Sequence, residues 1–242
     1  MNYSKKILKT IIICFVFSNN SCKKEDAVNS SSEMIYVRNG VLISNEGNYT
    51  ASDGSVSYFS IPNKKITQDV FTAVNHIPLG SVVQSMALMN ESIFIVVNNS
   101  QKIEVVDRDY FKSKGTITGF SGPRYFLPVA ANKAYVSDWF ANEIKIVNPD
   151  AMTITGSITT GAGPEQMLLL NSKVYVTNIG GWGTDSTVTI INAVTDQVIS
   201  TLMVGINPGN IVADSNQKVW ILCNGTLGPD FTPNTSDDIG GN

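Results

Sequence analysis

The feature that most constrains the fold is a short strand-like segment that recurs about every 40 residues. In each copy an apolar run ends in asparagine or aspartate, and the spacings between these ends are 53, 40, 40 and 46 residues. The end residues are Asn45, Asn98, Asp138, Asn178 and Asn224. A second landmark has a similar period, because Pro123, Pro164 and Pro208 each follow a glycine by one to three residues and lie 41 and 44 residues apart. Two landmarks with one period predict a repeat architecture.

Alternation of polar and apolar residues indicates that the repeated segments are strands. Residues 102–105, 143–146 and 187–190 read Lys-Ile-Glu-Val, Glu-Ile-Lys-Ile and Thr-Val-Thr-Ile, at the same place in three copies. A period of two fits a strand and no helix. Another strand and a glycine-rich turn follow each of them, so a copy holds four strands in about 40 residues, which is the size of one propeller blade. We therefore expect an all-β fold, a β-propeller of four-stranded antiparallel blades.

The length of the repeat region predicts how many blades are present. From Tyr36 to Asn242 there are 207 residues, enough for about five blades, whereas a seven-bladed ring needs about 280 residues. The last segment, residues 225–242, is rich in Gly, Pro, Asp, Asn and Thr and stops inside a predicted loop. We expect residues 36–242 to be an incomplete propeller from a C-terminally truncated chain, part of a seven-bladed ring. A closed five-bladed ring is the alternative.

The N-terminus predicts export and a lipid anchor. Three lysines precede an apolar run over residues 10–17, which is too short to cross a bilayer as a helix. Residues 1–21 are therefore predicted to be a signal peptide. The segment before Cys22 resembles a lipoprotein cleavage site, with Asn19 where that pattern has an aliphatic residue, and Cys22 is predicted to carry the lipid. Residues 22–35 would form a flexible tether; ordinary signal cleavage or an unprocessed anchor are the alternatives.

Composition excludes several kinds of partner. The chain has 17 basic and 20 acidic residues, and no basic run lies beyond the N-terminus, so it lacks the basic stripe that nucleic acids require. One histidine and three cysteines are too few for a multi-residue zinc or copper site. We expect no metal and no other cofactor. His76 is expected to be a polar turn residue, and Cys223, among apolar neighbours, a buried and unreactive thiol.

One strand motif resembles a known family. Residues 175–178 read Tyr-Val-Thr-Asn, and degenerate copies stand at 95–98, 135–138 and 221–224. From Tyr36 onward the chain resembles the YVTN-repeat (YncE-like) bacterial surface β-propellers. Shorter phrases are similar to surface lipoprotein propellers of Bacteroidetes, a group that includes proteins capturing corrinoids (vitamin B12) together with a TonB-dependent transporter. Those phrases are residues 43–48, 85–86, 121–126, 163–167 and 218–223.

The resemblance implies a location and a function. The protein would be lipid-anchored through Cys22 at the outer membrane and exposed at the cell surface. It would bind a ligand, with a corrinoid as the expected class, and pass it to a TonB-dependent transporter. A structural or adhesion propeller that binds a protein or a glycan is the alternative.

The candidate ligand-binding residues lie on loops that are predicted to share one face of the propeller. These loops join the second and third strands of a blade or lead from one blade to the next. The residues are Tyr49, Arg124, Tyr125, Trp139, Phe140, Glu165, Gln166, Trp182 and Asn210, with Phe231 as a further aromatic. Aromatic rings beside amide and guanidinium groups can stack on a flat ligand and bond its polar rim, which suits binding without catalysis. The alternative for each tryptophan is packing between blades.

An enzymatic function has weaker support. Asp138, Glu165 and Asp185 could line a metal-dependent hydrolase site, but only by analogy with other propellers. Asp138 is better explained as the residue that closes a strand by accepting a bond from a backbone N–H group. We therefore expect no catalytic residues.

Overall fold

Antiparallel strands make up nearly all of the part of the chain that the computed structural model describes, residues 39–227 and 239–241. The predicted signal peptide, Cys22 with its tether, and Phe231 lie outside the described residues. No helix in the described ranges is long and apolar enough to cross a membrane.

Strands β1 to β17 form five successive sheets, which we number in chain order. Sheet 1 contains β1 (Gly40–Asn45), β2 (Ser55–Ser60) and β3 (Lys65–Thr67). Sheet 2 contains β4 (Val83–Met89), β5 (Ser92–Val97), β6 (Lys102–Asp107) and β7 (Ser113–Thr118). Sheet 3 contains β8 (Pro123–Ala130), β9 (Lys133–Asp138), β10 (Glu143–Asn148) and β11 (Thr153–Thr159).

The remaining strands continue the series. Sheet 4 contains β12 (Pro164–Leu170), β13 (Lys173–Asn178), β14 (Thr187–Asn192) and β15 (Gln197–Met203). Sheet 5 contains β16 (Pro208–Ala213) and β17 (Val219–Cys223). A short pair, β18 (Gly225–Thr226) and β19 (Ile239–Gly240), follows.

The first strands of successive sheets are neighbours in space. β4 contacts β8, β8 contacts β12, and β12 contacts β16, so the sheets stand side by side around these inner strands. The meanders of sheets 2, 3 and 4 run outward from these inner strands, as in sheet 2, where the order is β4-β5-β6-β7. The prediction of a β-propeller with four-stranded antiparallel blades is confirmed.

Apolar side chains fill the space between neighbouring sheets. One core cluster joins sheets 1 and 2 and includes Tyr58 and Ile95, a second joins sheets 2 and 3, and a third joins sheets 3 and 4. The first cluster also holds Phe71 from the one helix in the described ranges, α1 (Val70–Asn75), which the sequence analysis did not predict. His76 ends α1 in a left-handed conformation and is exposed.

The strand register corrects two of the five predicted landmark positions. Asp138 pairs with Pro123 and Asn178 with Pro164, but the corresponding pairs in sheets 2 and 5 are Val97 with Val83 and Cys223 with Pro208. Asn98 and Asn224 therefore lie one residue beyond the predicted position. Asn98 also makes a different bond, because its Nδ2 donates to the Pro123 carbonyl of the next sheet at 3.0 Å, whereas the Asn178 Nδ2 donates to Thr187 and Thr189 within its own sheet.

A polar clamp joins sheets 3 and 4 at the ends of their strands. The Tyr135 hydroxyl donates to Asp196, and Lys133 Nζ donates to the same carboxylate at 2.7 Å and to the Ala193 carbonyl at 2.7 Å. Burial is the main reason why the pKa of Tyr135 lies well above its usual value. The hydrogen bond to Asp196 and the negative charge of Asp196 raise this pKa further. The phenol therefore stays a proton donor to Asp196 at neutral pH.

Loss of the Tyr135 hydroxyl is expected to destabilise the protein. In Tyr135→Phe the buried ring stays, but the bond to a charged acceptor is lost, so the free energy of unfolding should fall by about 2 kcal/mol. Tyr175 holds the equivalent position in sheet 4, and its hydroxyl has no bonding partner among the described residues, so Tyr175→Phe is the matched control with an effect of about 0.5 kcal/mol or less. Urea denaturation of the wild type and both variants measures the free energies of unfolding. Equal losses of free energy in the two variants would contradict a stabilising bond between Tyr135 and Asp196.

Candidate functional site

Two kinds of loop meet at one end of the propeller, which we call the loop face. They are the loops between the second and third strands of a sheet, such as residues 139–142 and 179–186, and the loops between sheets, such as 119–122 and 160–163. Backbone bonds join the two kinds, for example Trp139 N–H to the Gly122 carbonyl at 2.9 Å and Gly180 N–H to the Ala162 carbonyl at 2.8 Å. The prediction that these loops share a face is confirmed by these contacts.

Asp138 fixes the position of Trp139 and Phe140. Its two carboxylate oxygens accept the N–H groups of Ser121 and Gly122 at 2.8 and 2.7 Å, which confirms its predicted capping role. The loop between sheets 2 and 3 is thereby held against the end of β9. Phe140 packs on Gly122 so closely that a Cβ atom there would lie 2.5 Å from the Phe140 ring.

Asp185 holds the loop that carries Trp182. One of its oxygens accepts the Ala162 N–H at 2.8 Å, and the other accepts the Thr187 hydroxyl at 2.6 Å. The loop turns at Gly180 and Gly181, both with positive φ. A rigid base and a tight glycine turn therefore project Trp182 outward from the loop face.

Three aromatic rings from two neighbouring sheets contact one another, and we call them the aromatic cluster. Trp139 lies edge-on to Phe140 and Trp182, with ring centroids 5.2 and 5.3 Å apart, and Phe140 stacks on Trp182 at 6.2 Å. Trp182 is 85% exposed, and Phe140 is also exposed. Neither Trp182 nor Phe140 is therefore a buried packing residue.

A polar row borders the aromatic cluster on the inner strands, and it consists of Gln84, Arg124 and Glu165. Arg124 Nε and Nη2 donate to the two Glu165 oxygens at 2.9 and 2.7 Å, and Nη1 donates to Gln84 Oε1 at 2.5 Å. The guanidinium also lies over the Trp139 ring, with Cζ 5.4 Å from the ring centroid. Glu165 is buried, and both of its oxygens are taken by Arg124.

The predicted site residues divide into two groups. Arg124, Trp139, Phe140, Glu165 and Trp182 come together in the aromatic cluster and the polar row. Tyr125 is half-buried next to Arg124 on β8, with its N–H bonded to Ser137 Oγ at 3.1 Å.

The other predicted residues lie away from the cluster. Tyr49 is exposed beside sheet 2, where its carbonyl accepts bonds from Ser81 and Asn99. Gln166 ties β12 to β16 by accepting the Ile211 N–H at 3.3 Å. Asn210 lies within β16, opposite Leu222. The prediction that five of the residues lie in turns between sheets is wrong, because they lie within inner strands: Arg124 and Tyr125 in β8, Glu165 and Gln166 in β12, and Asn210 in β16.

Sequence reasoning missed Gln84. The signal was available, because Gln84, Arg124 and Glu165 each directly follow the residue that begins an inner strand. A comparison of equivalent repeat positions would have found the row. By residue type the row is not visible, because glutamine at this position matches neither arginine nor glutamate.

At the opposite end, which we call the turn face, the described residues form open cavities between neighbouring sheets. One of about 260 Å³ lies between sheets 2 and 3, over Phe94 and Met152, and one of about 480 Å³ lies between sheets 3 and 4, beside Lys133 and Val194. The described residues contain no group of three or more His, Cys, Asp or Glu side chains placed to hold a metal ion.

Known structures share this fold at low sequence identity. The chain aligns with hydrazine synthase of Kuenenia stuttgartiensis with a TM-score of 0.62 and 16% identity, over 84% of this chain and 57% of that one. It aligns with a functionally unknown protein of Desulfotomaculum acetoxidans with a TM-score of 0.56 and 16% identity, over 71% of this chain and 58% of that one. With the WD40 β-propeller domain of Doa1 the TM-score is 0.58 and the identity is 12%, over 76% of this chain and 57% of that one. The chain thus spans less than two thirds of each of these structures, and identities this low indicate the fold alone.

Sequence comparison identifies the family. A search of the curated proteins finds no match. The profile of one family of domains covers most of the described residues, from 39 to 227. The chain belongs to this family, which is described as a domain of unknown function, DUF5074.

Proposed function

We propose that the protein is a lipid-anchored ligand-binding propeller of the outer-membrane surface. Its loop face captures a ligand with a broad flat or apolar surface, and a corrinoid is the class that we propose, passed on to a TonB-dependent transporter. The observation that carries the proposal is the aromatic cluster, in which a tryptophan that is 85% exposed lies on two further rings.

The energetics of the aromatic cluster favour binding. Covering an exposed indole contributes about 2 kcal/mol from apolar area, and ring stacking adds about 1 kcal/mol. Trp182 is held at its base by Asp185, so less conformational entropy is lost when a ligand covers it. Arg124 beside Trp139 offers polar contacts at the border of the same surface.

The carboxylates near the site favour binding over catalysis. Asp138 accepts two backbone N–H groups, Glu165 accepts Arg124, and Asp185 accepts a backbone N–H and a hydroxyl. Each carboxylate thus has a structural partner that a general base or metal ligand would have to give up. This supports a protein without enzymatic activity.

The second candidate is an adhesion propeller for a glycan or a protein. The openness of the aromatic cluster favours it, because Trp182 and Phe140 present exposed ring surface rather than the walls of an enclosed pocket. Sugars and protein side chains also bind on open aromatic surfaces.

Titration with cobalamin tests the corrinoid proposal. We expect full-length protein to release or absorb heat on binding in isothermal titration calorimetry, and Trp182→Ala to weaken binding at least about tenfold, which corresponds to 1.4 kcal/mol. Trp220→Ala is the matched control, because Trp220 lies on sheet 5 with its indole bonded to Asp214. Absence of binding heat in the wild type would reject the corrinoid, and binding of a glycan that also depends on Trp182 would favour the second candidate.

The lipid anchor has its own test. Cys22→Ser is expected to abolish incorporation of labelled fatty acid and to move the protein out of the membrane fraction. Protease treatment of intact cells should degrade the wild-type protein if it faces outward. Protection of the wild type, or unchanged labelling of the variant, would contradict the proposed surface anchor.

A further inference from the structure

The side chains of the polar row use their acceptor atoms within the row. Arg124 donates three N–H groups, two to the Glu165 oxygens and one to Gln84 Oε1. Glu165 is also buried, so a ligand cannot reach its carboxylate. Among the described residues of the row, no side-chain acceptor is therefore left for a molecule that lies on the loop face.

The groups that remain in the row are donors. Gln84 is half-buried, and its Nε2 amide makes no hydrogen bond within the described ranges. Arginine has five N–H groups, so Arg124 keeps two that are not used for Glu165 or Gln84. Gln84 Nε2 and the second N–H of Arg124 Nη1 are neighbours, because the Gln84 amide and that nitrogen are joined by a bond of 2.5 Å. Two adjacent donors suit one carbonyl oxygen, which has two lone pairs.

The indole groups of the aromatic cluster add donors and no acceptor. Trp182 is exposed, and its Nε1 has no hydrogen-bond partner in the part of the chain that the structure describes. Trp139 Nε1 is buried and likewise has no partner there. An indole can only donate, and Phe140 has no polar side-chain group. A ligand that covers the aromatic cluster and reaches the polar row therefore meets unused donors on both.

The charges around the row disfavour an ionic ligand. Glu165 balances the charge of Arg124, while Asp138 and Asp185 add two carboxylates that are bonded to neutral groups. An anion would meet this excess of negative charge, whereas a cation would need acceptors that the row has already used. A neutral ligand with acceptor oxygens fits both conditions.

We infer that the polar row is a specificity site that binds a neutral carbonyl oxygen at the edge of the ligand. Gln84 determines this preference through its Nε2 amide, and Arg124 provides the second donor. The inference rests on the proposed function, since the ligand must also cover the aromatic cluster. Carboxamide groups, which surround the ring of a corrinoid, have carbonyl oxygens of this kind.

Gln84→Glu tests the amide, because this substitution replaces only the donor. A carboxylate of the same size still accepts the Arg124 N–H, so the row should stay intact and the free energy of unfolding should not fall. In calorimetric titration of full-length protein with cobalamin, we expect Gln84→Glu to weaken binding at least about tenfold, because two acceptor oxygens would then face each other. If Gln84 only held Arg124 in place, Gln84→Glu would bind like the wild type.

Two controls accompany this variant. Gln166→Glu adds the same negative charge to an inner strand away from the aromatic cluster and keeps the acceptor for the Ile211 N–H, so it should bind cobalamin like the wild type. The affinity of the wild type should change less than about twofold between about 50 and 500 mM sodium chloride, because the contacts in the row are made with neutral groups.

The outcomes separate this inference from the proposed function. No binding by the wild type would reject the corrinoid and, with it, the carbonyl contact. Wild-type affinity in Gln84→Glu, with Trp182→Ala still weakened, would leave the binding site in place and overturn the role of Gln84. An equal loss in Gln166→Glu would assign the effect to the added charge. A loss of about tenfold in wild-type affinity at the higher salt concentration would indicate recognition by charge and overturn the neutral class of ligand.

Discussion

Gly163→Ala is expected to lower the free energy of unfolding by about 4 kcal/mol and to displace Trp139. Gly163 has φ of 58°, and a Cβ atom there would lie 2.3 Å from the Gly181 nitrogen and 2.7 Å from Trp139 Nε1. Left-handed backbone costs a residue with a Cβ about 1 to 2 kcal/mol, and the overlap with backbone atoms adds about 1 to 3 kcal/mol. The loop between sheets 3 and 4 must therefore move, and the aromatic cluster with it.

Gly181→Ala is the matched control for this prediction. Gly181 has a similar φ of 64°, but no atom lies within 4 Å of its added Cβ. Only the backbone cost of about 1 to 2 kcal/mol should appear. Urea denaturation gives the two free energies of unfolding, and tryptophan fluorescence reports the position of the indole rings. Equal losses of unfolding free energy in the two variants would show that the close approach of the loops at Gly163 adds no cost to the substitution.

The repeat and its strands were predictable because their signals are local. Alternation at residues 143–146 reflects the two faces of one strand, and β10 covers these residues. The register of a repeat is harder to predict, because it depends on pairing with the neighbouring strand. Asn98 resembles Asn178 in type but lies one position later in its sheet, and it bonds to a different sheet.

The site was predictable in part for the same reason. Trp139, Phe140 and Trp182 were found because loop position follows from strand order, and their contact across two sheets follows from the repeat. Gln84 was missed because its importance comes from Arg124 in the next sheet, a contact between residues 40 positions apart. Asn210 was misplaced because β16 begins at Pro208 and already includes it.

Both faces of the propeller follow from the same strand order, but they differ in the residues that their loops carry. The loop face has variable loops that carry Trp182 and Phe140, whereas at the turn face Lys133 and Asp196 are joined in a clamp between sheets. Variation in loop sequence can therefore change the surface of the loop face without disturbing the packing between sheets. The polar row is the exception, because it lies beside the aromatic cluster and also joins three sheets.

Loss of the arginine in the polar row is expected to be strongly destabilising. In Arg124→Met, the buried Glu165 carboxylate loses both of its charged bonds, and the free energy of unfolding should fall by about 3 to 5 kcal/mol. The double variant Arg124→Met/Glu165→Met removes the buried charge as well and should recover most of this loss, to within about 2 kcal/mol of the wild type. Chemical denaturation of the wild type and the two variants measures both steps.

The exposed ion pair between Arg108 and Glu91 is the control for this prediction. Arg108 Nε lies 2.8 Å from the Glu91 carboxylate, close to the 2.7 Å between Arg124 Nη2 and Glu165, but the Glu91 side chain is 71% exposed whereas that of Glu165 is 7% exposed. Arg108 Nε also lies 3.7 Å from the Asp109 carboxylate, whose side chain is 30% exposed. Because water reaches the side chains of both Glu91 and Asp109, Arg108→Met should cost about 1 kcal/mol or less. If Arg124→Met cost no more than Arg108→Met, or if the double variant were no more stable than Arg124→Met, the loss would come from missing arginine contacts and not from an unpaired buried carboxylate.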